Sequence, residues 1–218
     1  MIRKNELINN EYYHVFNRSI AKFKIFNHPE NYYRFISIIS YYQYENNILS
    51  YSKFLESSKL NLINSYSGIR FVDIVAYCIM PTHFHLILKQ NINNGISIFL
   101  SKVQNSYSKY FNTIYKRRGP LWESRFQNIH IETDEQLLHL TRYIHLNPSS
   151  AGLVKKPEDW EYSSYYEYIN SKTNESICVF ENILNIKQKE YKIFIDDRVS
   201  YQKELSIIKS QLIDNYTG

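Results

Sequence analysis

The segment from residue 71 to residue 89 constrains the fold more than any other part of this chain. It consists of an apolar run from Phe71 to Met80, the dipeptide Pro81-Thr82, and an alternating run from His83 to Lys89. Runs of this length and pattern are typical of β-strands, and the Pro-Thr dipeptide is typical of a turn. The sequence therefore predicts a β-hairpin.

Two histidines, His83 and His85, occupy alternate positions of the second predicted strand. Successive strand residues point to opposite faces, so both imidazoles are expected on one face, where they could bind one ion. The opposite face would carry Phe84, Leu86 and Leu88 and pack against a core. The hairpin is therefore expected to have a candidate site on one side and apolar packing on the other.

The segments around the hairpin define the fold class. Residue patterns predict strands at 12–19 and 126–132 and helices at 29–42, 96–118 and 133–147. The last helix is expected to end before Pro148, because a residue that precedes proline disfavours the helical conformation. The order strand, helix, hairpin, helix, strand is that of an α+β fold, a ferredoxin-like βαββαβ sandwich with an antiparallel sheet and an added last helix.

One main domain is expected at residues 1–170, with an insertion at about 43–69 that is polar and rich in Ser and Asn. A helical C-terminal extension is expected at 171–218, with two small helices between residues 181 and 216. The sequence shows no internal repeat.

Composition excludes several protein classes. Cys78 and Cys178 are too few for a disulfide framework, and no apolar run reaches the ~18 residues of a membrane span. The N-terminal residues do not resemble a signal peptide, which predicts an intracellular protein. The net charge of +5 and the 21 tyrosines are compatible with nucleic-acid binding, although the same composition is also typical of an AT-rich genome.

Four interpretations of the histidine pair are open from its spacing alone. A divalent metal site needs at least one further ligand from another element. A hydrolase of the histidine-triad type needs a third histidine at the next alternate position, where this chain has Ile87. A structural zinc site with Cys78 lacks a fourth ligand. The fourth interpretation is a pair of surface histidines or of hydrogen-bonded core histidines.

A polar stripe on the last predicted helix favours the metal site. Gln136, His139, Tyr143 and Asn147 follow one another at steps of three and four, which places them on one side of the helix. A tyrosine one turn from an amide oxygen, on a helix able to lie against two histidines, suits covalent phosphoryl transfer. Because free tyrosine ionises only near pH ~10, a cation or a base must assist. Ordinary packing of Tyr143 is the alternative.

Three segments resemble the signature segments of a known family. They run from Tyr77 to Lys89, from Gly119 to Phe126 and from Tyr143 to Pro148. In this order they are similar to those of the HUH single-tyrosine transposases, the family of the IS200-like transposase domain. Among these, the likeness is greatest to the REP-associated tyrosine transposases. The resemblance extends from about residue 12 to residue 168.

The resemblance implies a metal-dependent endonuclease and strand transferase, a transposase that cleaves single-stranded DNA beside a hairpin. The implied intermediate is a covalent 5′-phosphotyrosine, with a free 3′-hydroxyl on the other fragment. By position, Tyr143 is the implied nucleophile, His83 and His85 the metal ligands, and Asn147 the third ligand. The implied cofactor is Mg²⁺ or Mn²⁺, although two imidazoles make an unusual Mg²⁺ site. Thr82, where relatives commonly have Asn or Glu, departs from the family pattern, as does the insertion.

Six further residues are candidate DNA contacts. They are Arg18, Lys116, Arg117, Arg118, Trp122 and Arg125. The cations could contact phosphates or only solvent. The tryptophan could stack on a base or plug its loop into the core.

Two other functions are compatible with the sequence. One is a non-catalytic or domesticated nucleic-acid-binding module of the same fold, and the other is a phosphodiesterase that uses water, in which Tyr143 is structural. The expected partner is single-stranded or hairpin DNA, with no membrane, and the expected location is the bacterial cytoplasm at the nucleoid. A monomer and a homodimer, with the tyrosine acting in cis or in trans, are both open.

Overall fold

The computed structural model describes residues 7–47, 49–58, 68–170, 176–180, 183–184 and 186–197. Its strands are β1 (Tyr12–Arg18), β2 (Val72–Met80), β3 (His83–Gln90) and β4 (Gln127–Ile131). Its α-helices are α1 (Pro29–Tyr41), α2 (Tyr51–Ser58), α3 (Gly95–Ile114), α4 (Asp134–Ser150), α5 (Tyr165–Ile169) and α6 (Gln188–Asp196). Short 3-10 turns lie at Ile20–Lys22 and Pro157–Asp159. The predicted strands and helices of the main domain are all present, with ends within four residues of the predicted ones; the largest difference is at α3, which ends at Ile114, before the three cations predicted in its last turn.

The four strands form one antiparallel sheet in the order β2-β3-β1-β4. The two strands of the predicted hairpin are neighbours, and β1 inserts between the hairpin and β4. This is the strand order of a ferredoxin-like sandwich, so the predicted α+β fold is confirmed. One consequence matters for the site: β1 lies directly beside β3, the strand of the two histidines.

Helices α1 and α3 cover one face of the sheet. Phe35 of α1 and Val103 of α3 are fully buried there, together with Phe84, Leu86 and Leu88 of β3. This confirms the apolar side predicted for the second strand of the hairpin. Almost every side chain in this layer is apolar or aromatic, as expected for a core stabilised mainly by burial of apolar surface.

Helices α4, α5 and α6 cover the opposite face. Ile144 of α4, Tyr165 of α5 and Tyr191 of α6 are buried in the same cluster as Ile87 of β3. The alternate residue His85 therefore points toward α4. The central strand β3 is buried on both sides, and its two faces pack against different sets of helices.

Helix α4 carries the predicted polar stripe. It begins at Asp134 because Thr133 caps it, with Oγ1 accepting a hydrogen bond from the N–H of Gln136 at 3.1 Å. Its predicted core residues, which are Leu137, Leu140, Thr141 and Ile144, are all buried.

The predicted end of this helix at Asn147 is wrong, because α4 continues through Pro148 to Ser150. Proline has no N–H and gives up one helical hydrogen bond. Pro148 is buried in the last turn, and the N–H of Ala151 still donates to the carbonyl of Asn147 at 2.9 Å. Tertiary packing therefore outweighs the local preference of the residue before proline.

The insertion and the extension are described in part. In the insertion, α2 buries Tyr51 and Phe54 against the ring of Tyr41, whereas residues 48 and 59–67 lie outside the described residues. In the extension, α6 falls within the range predicted to hold two small helices, and the residues beyond 197 lie outside the description. None of the helices described between residues 7 and 197 is long and apolar enough to cross a membrane.

Candidate active site

Strand β3 places both predicted histidines on the face that α4 covers. The rings of His83 and His85 are nearly perpendicular, with centroids 5.0 Å apart. His85 is fully buried, whereas His83 is half-buried at the start of the strand beside the turn. Oγ1 of Thr82 lies 2.9 Å from Nδ1 of His83, so the threonine that departs from the family pattern contacts the first histidine. The predicted pairing on one face is confirmed.

Helix α4 brings Tyr143 and Asn147 over the same face. The amide nitrogen of Asn147 lies 3.2 Å from Nε2 of His85 and 3.4 Å from Oη of Tyr143. The rings of His85 and Tyr143 meet edge to face, with centroids 5.9 Å apart. Phenol, amide and imidazole, about sixty residues apart in the sequence, therefore form one cluster within a single chain. The other stripe residues contact different groups: Gln136 accepts a hydrogen bond from the N–H of Glu132 at 2.8 Å, and the ring of His139 lies 5.4 Å from that of Phe194.

The structure adds His14 of β1, which the sequence pattern did not single out. Its Nε2 lies 3.0 Å from Nδ1 of His85, and the two rings are stacked with centroids 5.2 Å apart and an interplanar angle of 16°. His14 is fully buried. The sequence does show a histidine in the strand predicted at 12–19. Spacing within β1, however, does not determine which residue of β3 this histidine faces. That register, which pairs His14 with Ile87, is known only from the folded sheet.

Burial controls the protonation of this cluster. It lowers the pKa of His14 to about 3, and it holds the pKa of His85 well below its ordinary value, with smaller contributions from His83 and His14. A charged imidazole inside a protein loses its hydration, so the neutral form is favoured. Near pH 7 both buried rings are therefore neutral, which is the form that can bind a metal ion.

The side chains at the cluster determine which cation could bind there. Among the residues that the structure describes, no group of three or more His, Cys, Asp or Glu side chains is placed to hold a metal ion. The donors at the cluster are instead two imidazoles and the Asn147 amide. A half-turn of that amide exchanges its nitrogen and oxygen, which would present an oxygen beside Nε2 of His85. Two nitrogens and one oxygen fit a cation that takes its other ligands from water or phosphate.

Arg18 lies at the edge of the cluster, opposite His83 in the register of β1 and β3. Its guanidinium forms an ion pair with Glu123, with Nη2 of the arginine 3.1 Å from Oε1 of the glutamate. The hydrogen bond between them raises the pKa of Arg18 and lowers the pKa of Glu123. A phosphate approaching Arg18 would therefore compete with a carboxylate that already holds it.

Trp122 packs its loop into the apolar layer. Its ring lies edge to face against Phe84, with centroids 5.4 Å apart, and its Nε1 donates to the carbonyl of Gln104 at 3.3 Å. Of the two roles predicted for this residue, the structure shows the packing role.

The remaining candidate DNA contacts lie on the surface. Lys116, Arg118 and Arg125 are exposed. Arg117 is half-buried and donates to the carbonyl of Pro120 at 2.7 Å. Three of the four cations are therefore accessible, and the fourth holds the loop that follows α3.

Comparisons with known proteins agree with this fold. A family model described as "Transposase IS200 like" matches residues 32–147. A Haemophilus influenzae protein named as a REP-associated tyrosine transposase is 30% identical over 109 residues, which are 45% of this chain and 62% of that relative. The REP-associated tyrosine transposase of Escherichia coli is 26% identical over 94 residues, 43% of this chain and 54% of that relative. The matched segments thus span less than two thirds of either relative.

A solved structure has the same fold. It is described as a REP-associated tyrosine transposase bound to a REP hairpin, and it superimposes with a TM-score of 0.54 at 15% sequence identity. The superposition covers 81% of this chain and 95% of the other. The family match by itself includes more than half of the 218 residues and contains His83, His85, Tyr143 and Asn147. The chain therefore belongs to the IS200-like transposase family, and the curated relatives it resembles are REP-associated tyrosine transposases.

Proposed function

We propose that this protein is a single-tyrosine DNA strand transferase, which cleaves single-stranded DNA beside a hairpin through a covalent 5′-phosphotyrosine. One observation carries the proposal: the amide of Asn147 lies within hydrogen-bond distance of both the phenol of Tyr143 and the buried His85. A hairpin substrate is supported by the structural relative, which is described as bound to a REP hairpin.

The chemistry assigned to the chain is nucleophilic catalysis by tyrosine. Oη of Tyr143 gives its proton to water and forms a bond to the phosphorus of the scissile phosphodiester, while the bond from phosphorus to the 3′-oxygen breaks. The 3′-oxygen then takes a proton and leaves as a hydroxyl. Asn147 orients the phenol, since its amide lies between the phenol oxygen and His85. One phosphodiester replaces another, so the charge on the phosphate is unchanged and one proton is released for each proton taken up.

A divalent cation, Mg²⁺ or Mn²⁺, is proposed to be held by His83, His85 and the amide oxygen of Asn147. When bound, such an ion stabilises the negative charge that develops on a phosphate in the transition state. His83 is the ligand nearest to solvent, because it is half-buried at the mouth of the cluster, whereas His85 is fully buried behind it. Both histidines and the tyrosine come from one chain, which supports a site completed in cis.

The test is covalent trapping on a hairpin-flanked single-stranded oligonucleotide with Mn²⁺. We expect a protein–DNA adduct that survives denaturation, and Tyr143→Phe should lower its yield by at least about a thousandfold because the nucleophile is gone. Tyr110→Phe is the matched control, since it removes a half-buried hydroxyl on α3 from the other side of the sheet.

Other results of the trapping experiment would favour one of the two alternative functions. Cleavage that persists without an adduct in Tyr143→Phe would indicate a phosphodiesterase that uses water. Binding without an adduct across a broad set of oligonucleotides would indicate a non-catalytic module. His83→Ala, which alters the half-buried ligand only, should abolish adduct formation and leave DNA affinity within about threefold, because phosphate contacts elsewhere supply most of that affinity.

A further inference from the structure

Each of the two ring nitrogens of His85 faces a polar group. Its Nε2 faces the amide nitrogen of Asn147 at 3.2 Å, and its Nδ1 faces Nε2 of His14 at 3.0 Å. In the orientation that the structure shows, the amide nitrogen faces Nε2 of His85 and can only donate a hydrogen bond, so Nε2 accepts and carries no proton. When the amide turns its oxygen to a bound ion, Nε2 gives its lone pair to that ion and again carries no proton. The proton of a neutral His85 is then on Nδ1, from which it is donated to Nε2 of His14. The two contacts therefore select one tautomer.

This tautomer is the one that metal binding requires. Its Nε2 lone pair points toward Asn147 and Tyr143, where the proposed cation would lie. In the opposite tautomer, a proton on Nε2 would occupy that position and meet the donor of Asn147. Partners of this kind, which hold the second nitrogen of a ligating histidine, fix its ring orientation and raise its affinity for the ion.

His14 has no other evident role that explains its burial. Its own proton is then on Nδ1, which is buried without a hydrogen-bond partner among the described residues. A buried donor left unsatisfied costs about 1–3 kcal/mol, and an apolar residue at the centre of β1 would avoid that cost. The stacking of His14 on His85, at 5.2 Å and 16°, also restricts rotation of the ligand ring. The arrangement favours the orientation of His85 over the stability of the strand.

We infer that His14 is a positioning residue for the proposed metal site: it accepts a hydrogen bond from Nδ1 of His85 and thereby directs Nε2 of His85 to the ion. This inference rests on the proposed function. It assigns to β1 a part in a site otherwise formed by β3 and α4. His14 touches neither the substrate nor the ion.

The test measures Mn²⁺ affinity without DNA, by electron paramagnetic resonance of the free ion, in the full-length chain. His14→Phe keeps a ring of similar size and removes the acceptor, and we expect it to weaken Mn²⁺ binding about 10- to 100-fold. His14→Gln places an amide near the position of Nε2 and should recover most of the affinity. Phe16→Leu is the matched control, because that ring also contacts His85, at 6.1 Å, but offers no hydrogen bond. It should leave the affinity within about threefold.

A second readout is independent of metal and of activity. Nitrogen-15 NMR shifts of the imidazole report which nitrogen of His85 carries the proton, and we expect Nδ1 in the wild type and a mixture of tautomers in His14→Phe. A folded His14→Phe with wild-type Mn²⁺ affinity would overturn the inference. So would a wild-type His85 protonated on Nε2, which can be measured even if His14→Phe does not fold.

The outcomes separate this inference from the proposed function. If Mn²⁺ binds in a His14-dependent way but no tyrosine adduct forms, the proposed function fails and the role of His14 stands. If the adduct forms and Mn²⁺ affinity does not depend on His14, the inference alone fails. A wild type that does not bind Mn²⁺ overturns the role of His14 and the metal site together.

Discussion

The two faces of the sheet are packed by different chemistry. On the face that α1 and α3 cover, most fully buried side chains are apolar or aromatic, as in Phe35 and Val103. The buried amide of Gln90 on this face is hydrogen-bonded to the carbonyl of Leu7 and the N–H of Ile96. On the face that α4 covers, His14, His85 and Arg142 are fully buried as well. Burial of a polar group costs free energy unless it is hydrogen-bonded. Burial of apolar surface is therefore enough to explain the apolar residues of the first face. Each buried polar residue of the second face needs a further explanation, either a hydrogen bond or a role in the site.

Polar burial on the α4 face has two different reasons. His145 is also fully buried, but its ring nitrogens lie 2.7 Å from the hydroxyl of Tyr191 and 2.8 Å from that of Ser164. These contacts join α4 to α6 and to the segment before α5, and none of them involves Tyr143 or Asn147. His145 is therefore a structural histidine, whereas His85 contacts the cluster on both of its nitrogens. A buried histidine becomes a site candidate through its partners and not through burial alone.

The largest effect is expected on the apolar face. Phe35 is fully buried among Phe26, Phe84 and Tyr107, each with ring centroids 5.1 Å away. Phe35→Ala leaves a cavity and should lower the free energy of unfolding by about 3–5 kcal/mol, as measured by urea denaturation. At a temperature where the variant is still folded, its Mn²⁺ affinity should equal that of the wild type. A loss of Mn²⁺ affinity in the folded variant would break the separation between the two faces.

A smaller effect is expected from the structural histidine. Burial lowers the pKa of His145 to about 3, whereas histidine in an unfolded chain titrates near 6.5. Between these values the unfolded state binds the proton and the folded state does not, so His145 makes the protein less stable as pH falls below 6.5. From pH 7 to pH 5 its contribution should be about −2 kcal/mol.

The measurement compares urea denaturation of the wild type and His145→Gln at both pH values. The wild type should lose about 2 kcal/mol more than the variant over this range, because only the wild type has an imidazole at position 145, while His14 and His85 are buried in both. Equal losses in the two proteins would mean that His145 is protonated or exposed in the folded state. That result would remove the distinction between structural and site histidines.

The smallest effect is expected in the exposed segment that follows α3. Arg118 is exposed, so Arg118→Ala should not change stability measurably. If Arg118 contacts a phosphate, its loss should weaken single-stranded DNA binding less than about tenfold and reduce the salt dependence of log K by about one unit. Lys53→Ala, on the exposed side of α2, is the control and should leave the salt dependence unchanged. If the salt dependence of log K is unchanged in Arg118→Ala, Arg118 contacts only solvent and no phosphate.

Much of the fold follows from local pattern. The alternation around Phe84 and Leu86 determines which way His83 and His85 point, because a strand has only two faces. The spacing of Tyr143 and Asn147 determines that both lie on one side of a helix. These rules act within one element, so they can be applied without knowledge of the neighbours.

The parts that sequence could not provide depend on contacts between elements. His14 meets His85 only because of the register of β1 against β3, which no spacing within β1 contains. Pro148 stays within α4 because it is buried, although the local rule predicts an end before it. Trp122 had two roles that its sequence could not separate, and its position against Phe84 depends on how the loop packs on the sheet.

The contact between His145 and Tyr191 has a consequence for the order in which the protein acquires its parts during synthesis. Chains emerge from the ribosome with the N-terminal segments first. The strands that carry the histidines are therefore available early, and α4 follows with Tyr143. The helix that carries Tyr191 is made some fifty residues later. Only then is the Tyr191 hydroxyl available to His145 and Thr141, both of which it contacts. A nascent chain therefore contains Tyr143, the proposed nucleophile, before it contains α6, the helix that packs against α4. The fully packed site needs a chain that has left the ribosome at least as far as residue 196.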